Sequence, residues 1–220
     1  MIRLHHCHQT RSMRSLWLLH ELGVPFELQV YPFDASIKSE AYLALNPAGR
    51  VPSLEIDGQV LFESGAIAEV LSEYAPDAGL GRLVGDPERY AWLNWIHFAE
   101  TISQHCAALT QQHVALFEDH MRSPIVMNLE ARRLAKTIGT VETGLTNSGY
   151  LLGSGFSAAD IGVGQAVYMA THFVTLDAFP KVTAWYNRLT TREAFQKALP
   201  PQGEPSLYAK DFYPPWPVEK

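Results

Sequence analysis

Side chains that can do acid–base, nucleophilic or metal chemistry crowd the first dozen residues: His5, His6, Cys7 and His8, then Thr10, Arg11 and Ser12. Three imidazoles and a thiol in four positions invite a metal ion. A strand, however, sends successive side chains to opposite faces, so at most two of these ligands share a side. Zinc takes three or four, and no metal is expected. Cys7 lacks a Cys-x-x-Cys partner and reads as a small hydrophobe of a strand rather than a redox centre. His97, His105, His113 and His120 scatter along helical segments. Further on, Val51-Pro52 precedes a strand, where proline limits edge pairing. Glu63-Ser64 opens a helix, and a helix N-terminus offers unpaired N–H groups and partial positive charge, which suit a carboxylate.

The elements that must position these residues can be read from periodicity. Ile2 to Cys7 is a short strand-like run. Leu16, Leu19 and His20 share a helical face, widened by Trp17, Leu18 and Leu22 and stopped by Gly23. Phe26, Leu28 and Val30 alternate as a second strand, so the helix between is a crossover joining parallel strands. A short helix over about 39–45 ends at Asn46-Pro47. Leu54 and Ile56, the turn Asp57-Gly58, and Val60 and Phe62 spell a hairpin. A helix capped by Ser64 follows, with Ile67, Val70, Leu71 and Tyr74 on its apolar face.

Residues 77–87 are rich in Gly and Asp and read as a linker. Beyond them only helix signals remain. Trp92, Trp95, Ala99 and Ile102 share one side; Ser123-Pro124 starts a helix carrying Leu134, Ile138, Val141 and Leu145. Ser157 and Asp160 form a capping box before a stripe of Val163, Val167, Ala170 and Val174. Pro180 opens a helix bearing Val182, Trp185, Tyr186 and Leu189. The expected organisation is an α/β domain over 1–76, a linker over 77–87, an all-helical domain over 88–205 and an extended Pro/aromatic tail over 206–220.

Composition narrows the function. The chain has 220 residues, 47% hydrophobic and 18% charged, with a formal net charge of −6. That charge opposes binding to nucleic acid or to an anionic membrane surface. No window approaches ~18 uninterrupted apolar residues, and the opening residues lack a long apolar run, so neither a transmembrane span nor a signal peptide is expected. Cys7 and Cys106 are too few for a disulfide framework and fit a reducing cytoplasm.

A β-α-β-α-β-β-α module followed by a linker and a helical domain resembles the cytosolic glutathione transferases over nearly the whole chain. Four local texts carry the resemblance: Thr10 to Arg14 leading into Leu16 to Glu21, similar to a bacterial and fungal branch with Ser or Thr after strand one; Asn46 to Pro52; Glu63-Ser64; and Ser157 to Asp160. The resemblance implies a thioredoxin-like N-terminal domain with a mixed four-stranded sheet, then an all-α domain. It implies a cis Val51-Pro52 bond, with Val51 pairing an extended glutathione as an added strand. Ser64 would meet the γ-glutamyl carboxylate, Glu63 its ammonium and Arg50 the glycyl carboxylate.

The chemistry so implied is activation of glutathione's thiol, as co-substrate, for attack on a hydrophobic small-molecule electrophile, a detoxifying reaction. Matching Arg14 and Trp17 to the family places Thr10 at the usual serine, with Ser12 as reserve and Arg11 as an electrostatic helper beside the sulfur. Threonine departs from serine by being stiffer at χ1, so a hydroxyl turned away would leave the task to Ser12 or a backbone N–H. His97, Phe98, Thr101 and His105 would line the electrophile's pocket, with Tyr213 and Trp216 as a lid. The family shape implies a homodimer, without metal. Two alternatives are a glutathione-dependent thiol reductase or peroxidase using Cys7 or the same activated thiolate, and a binding protein without catalysis.

Overall fold

Leu4 has no exposed surface and sits in register with Leu28 on one side and Leu54 on the other. That register makes its strand central in the structure, a computed structural model that describes residues 1–216. Strand β1 (Ile2–His6) pairs parallel with β2 (Glu27–Val30) and antiparallel with β3 (Ser53–Ile56), which pairs antiparallel with β4 (Gln59–Phe62), giving the order β2-β1-β3-β4. Helices α1 (Ser12–Leu22), α2 (Glu40–Leu45) and α3 (Ser64–Tyr74) complete the thioredoxin-like module. Helices α4 (Arg89–Thr110), α5 (Pro124–Gly144), α6 (Ala158–Ala170), α7 (Pro180–Thr190) and α8 (Glu193–Ala198) follow. Among the described residues no helix is long and apolar enough to cross a membrane.

Local chemistry explains the boundaries. Gly23 stops α1 at φ 64°, its N–H bonding Leu19 O. Asp57 and Gly58, both at positive φ, make the two-residue turn of the β3–β4 hairpin. Ser39 caps α2 and Ser123 caps α5, ahead of Pro124. Helix α1 starts at Ser12, in line with the sequence reading, and its first turn is buried. Two points differ from the sequence reading. Strand β1 ends at His6, leaving Cys7 in the following loop. Ser64 is not a cap: it is the first helical residue, and Glu63 holds the N-cap position without a capping side-chain bond.

The chain divides into two compact units. The first is Met1–Leu93 with Thr190–Leu207. The second is Asn94–Leu189 with the described residues from Tyr208 on. Helix α8 joins the first unit because it packs on α1: the Trp17 ring stands edge-on to Phe195 at 4.9 Å, and Arg192 grips Glu21 with two bonds of 2.6 and 2.7 Å. Glu21 also accepts from Trp17 Nε1 at 2.9 Å. Apolar spacing carries no trace of this return of the chain.

In the second unit α6 is buried on nearly every side rather than along one stripe, as befits a central helix rich in Ala and Gly. Its Ser157–Asp160 capping box is present. Asp160, without exposed surface, also accepts from Leu151 N–H at 3.0 Å and Trp185 Nε1 at 2.9 Å. Tyr213 is not a lid: it is buried against His113 and Phe173, and its N–H donates to His172 O at 2.7 Å. Trp216 is half-buried, and residues 217–220 of the expected tail lie outside the described residues.

Removing Asp160 would strand several buried donors at once. Asp160→Ala is expected to cost about 3–5 kcal/mol in denaturant unfolding, and Asp160→Asn less.

Candidate functional site

The loop from Cys7 to Arg11 joins β1 to α1 and is organised around the hydroxyl of Ser12. Ser12 Oγ accepts from Cys7 N–H at 3.1 Å, lies 3.1 Å from the Cys7 carbonyl, and sits 2.8 Å from both Thr10 Oγ1 and His6 Nδ1. Ser12 has no exposed surface, whereas Thr10 is half-exposed. Thr10 Oγ1 donates to the Cys7 carbonyl at 2.8 Å and receives Ser12 N–H at 3.3 Å. Arg11, half-exposed, occupies the α1 N-cap without a capping side-chain bond.

Behind Ser12 lies an imidazole pair. His6 has no exposed surface, and its Nε2 stands 3.2 Å from Nδ1 of His8. Burial, helped by His8, pushes the His6 pKa down to about 3, so its ring is neutral near pH 7. Cys7 is buried as well, and burial with the nearby Asp34 pushes its thiol up to about 11. At neutral pH that group is a thiol, not a thiolate. Among the described residues no group of three or more His, Cys, Asp or Glu side chains is arranged to hold a metal ion.

The expected peptide-binding residues lie in the same unit. The Val51–Pro52 bond is cis. Arg50 is exposed, while its carbonyl is held by Tyr42 Oη and Asn46 Nδ2, each at 2.7 Å. Glu63 sits at φ 75°, a region costly for a residue with a Cβ, by about 1–3 kcal/mol. Such conformations cluster at binding and active sites. Sequence reasoning assigned no role to Arg14. It is buried, and its Nη1 donates to Ser64 Oγ at 3.0 Å, so the first turn of α1 and the first residue of α3 are joined through one side chain. Its place in the Thr10-to-Arg14 text was the available signal.

A second omission is the segment 204–207. Gln9, at φ 54°, accepts on Oε1 from Ser206 Oγ at 2.8 Å and from Leu207 N–H at 2.7 Å. The segment thereby closes a cavity of about 530 Å³ against Cys7, His8 and the stretch Val30 to Phe33. That volume suits a small-molecule ligand. Of the α4 residues, in the second unit, His97 and Thr101 are exposed and Phe98 packs edge-on to Trp95 at 5.4 Å. His105 is committed to Glu130, with Nδ1 to Oε2 at 2.6 Å.

Residues 10–73 match the family described as glutathione S-transferase, N-terminal domain, and residues 107–188 match its C-terminal domain. Glutathione S-transferase 4 of Zea mays is 34% identical over 191 residues, covering 84% of this chain and 85% of the maize protein. Among solved structures, a ternary complex of BphK, a bacterial GST, is 29% identical with a TM-score of 0.76, covering 90% of this chain and 97% of that one. A theta class glutathione S-transferase from Xanthomonas axonopodis pv. citri, solved with glutathione bound, shares the fold at a TM-score of 0.79 and 24% identity, covering 90% of this chain and 96% of that one.

The buried His6 makes stability pH-dependent. An unfolded His6 takes up a proton below its ordinary ~6.5, while the folded one resists protonation down to about 3, so acid favours unfolding. Its contribution is intact above pH ~6.5 and declines below it by up to ~1.4 kcal/mol per pH unit. Thermal or denaturant unfolding from pH 7 to 4 is expected to show this slope, reduced in His6→Asn.

Proposed function

The chain belongs to the glutathione S-transferase family and is a glutathione transferase, and from that premise we propose that Thr10 activates the glutathione thiol while Arg50, Val51, Pro52, Glu63 and Ser64 hold the tripeptide. The observation that carries this reading is the Arg14–Ser64 bond, which ties the helix start beside Thr10 to the helix start at Ser64. Each helix end brings N–H groups and a partial positive charge, so a carboxylate at Ser64 and a thiolate near Thr10 are both favoured. Val51, just before β3, offers main-chain groups to an extended peptide. Arg50 is exposed and within the same text, which supports a meeting with the glycyl carboxylate.

Magnitudes fit the task. A free thiol with pKa ~8.5 is ~3% thiolate at pH 7, and lowering that pKa by ~2 units makes it about three-quarters thiolate. The shift corresponds to ~2.7 kcal/mol, within reach of one hydroxyl donor plus a helix N-terminus. A much larger shift would cost nucleophilicity. Thr10 is preferred to Ser12 because it is half-exposed and Ser12 is not. The elevated Cys7 pKa and the burial of that residue weigh against a reductase that uses the protein's own thiol. Arg11, half-exposed at the start of α1, is the electrostatic helper.

For the hydrophobic electrophile, the cavity lined by Val30, Tyr31, Pro32, Phe33 and Leu207 supplies an apolar wall beside the loop that carries Thr10. A second reading puts it on α4, at His97, Phe98 and Thr101, of which His97 and Thr101 are exposed. A homodimer is supported by the exposed Val60, Phe62 and Tyr74. A cytoplasmic location is supported by the two unbridged cysteines.

Thr10→Ala is expected to lower kcat for conjugating glutathione to an activated aryl halide by about 10–100-fold and raise the pKa of the bound thiol, with Thr10→Ser retaining most activity. Unchanged kcat in Thr10→Ala would remove the assignment. Phe33→Ala is expected to raise the KM for the aryl substrate about threefold with the KM for glutathione unchanged. The same selective effect in His97→Ala instead would favour the α4 reading.

A further inference from the structure

The hydrogen-bond cluster at the β1–α1 junction has a proton count that constrains its direction. Cys7 N–H fills one lone pair of Ser12 Oγ, and Ser12 N–H reaches Thr10 Oγ1. Two hydroxyl protons remain, those of Ser12 and Thr10. They must serve the Cys7 carbonyl, which lies 3.1 Å from Ser12 Oγ and 2.8 Å from Thr10 Oγ1, and also the glutathione sulfur if Thr10 acts as read above. A bare lone pair on His6 Nδ1, 2.8 Å from Ser12 Oγ, would consume the Ser12 proton. The Thr10 proton would then stay on the Cys7 carbonyl, and the sulfur would receive none.

With the proton on Nδ1 the conflict disappears. His6 donates to Ser12, Ser12 donates toward Thr10 Oγ1 and the Cys7 carbonyl, and the Thr10 proton can turn to the sulfur. The contact with His8 accommodates this tautomer. His8 Nδ1 lies 3.2 Å from His6 Nε2; with a proton on His8 Nδ1, Nε2 accepts and the single proton of the neutral, buried His6 sits on Nδ1. Bonds aligned head to tail also polarise one another in a buried setting, which strengthens the final donor.

We infer that His8, His6 and Ser12 form a one-way hydrogen-bonded chain that aims the Thr10 hydroxyl at the glutathione thiolate, making His6 a positioning residue for the reaction. The inference rests on Thr10 being the thiolate donor.

The test uses the full chain with glutathione and an activated aryl halide. The pKa of the bound thiol is read from the pH dependence of turnover at saturating glutathione and from the ultraviolet absorbance of the thiolate in the binary complex. His6→Phe keeps a ring and removes both nitrogens; the thiol pKa is expected to rise by about one unit, a tenfold loss of thiolate below that pKa, with the KM for glutathione within about twofold. His6→Asn, which can present an amide N–H in place of Nδ1, is expected to recover activity to within about threefold of the parent. His8→Ala, at a half-buried position, is expected to lose about threefold, and it carries the test if His6→Phe does not fold. A folded His6→Phe or His8→Ala with an unshifted thiol pKa overturns the inference. If Thr10→Ala shifts that pKa and neither histidine variant does, the inference alone falls. If Thr10→Ala does not shift it, the reading of Thr10 falls and the inference with it.

Discussion

Everything at the candidate site depends on the hydroxyl of Ser12 being satisfied out of reach of water. Its bonds to both main-chain groups of Cys7 fasten the end of β1 to the first residue of α1. A buried hydroxyl left unpaired costs about 1–3 kcal/mol, so this junction has little freedom to rearrange. The loop between must therefore take its observed path, with Gln9 in the left-handed region and Thr10 carried outward. The Gln9 carboxamide then becomes the anchor for residues 206 and 207. One interior oxygen thus orders the loop, the threonine and one wall of the cavity.

The same principle recurs elsewhere. Arg14 spends its guanidinium on Ser64 rather than on solvent, so the two helix starts with anion-favouring ends are linked through the protein interior. Glu21 collects Trp17 and Arg192, which draws α8 onto α1 and stabilises the helix that begins at the site. In the second unit Asp160 closes the capping box of α6 and binds Trp185 of α7 and the main chain at Leu151. Glu21 and Asp160 are carboxylates on which several donors converge, and Arg14 is a buried donor held by an acceptor. Each is costly to break for the same reason: the partners left behind stay buried.

The contrast between Cys7 and Thr10 suits the proposed reading, in which the chain activates a thiol that it does not own. Cys7 lies in the interior at the foot of the loop, where ionisation is opposed by burial and by Asp34. Thr10, three residues on, is half-exposed at a helix start where negative charge is favoured. In that reading an incoming thiol at Thr10 meets a more favourable field than the resident one does. The neutral His6 fits this division: burial opposes a charge on its ring as it does on the Cys7 thiol.

Periodicity, turn residues and the Thr10-to-Arg14, Val51-Pro52 and Glu63-Ser64 texts were enough to determine the order of strands and helices, the parallel β1–β2 pair, the hairpin and the family. These depend on neighbours within a few residues, or on alternation that a single strand or helix imposes. Other features depended on groups far apart in the chain. The return of α8 to the first unit joins residues 171 apart, and the clamp of 204–207 on Gln9 joins residues nearly 200 apart. The exchange of roles between Ser64 and Glu63 at the α3 start, the inward turn of Ser12, and the meeting of Arg14 with Ser64 are likewise invisible in linear spacing. Which polar side chain is buried, and what satisfies it there, is decided only when distant segments exclude water together, and that choice made His6, Ser12 and Arg14 part of the candidate site.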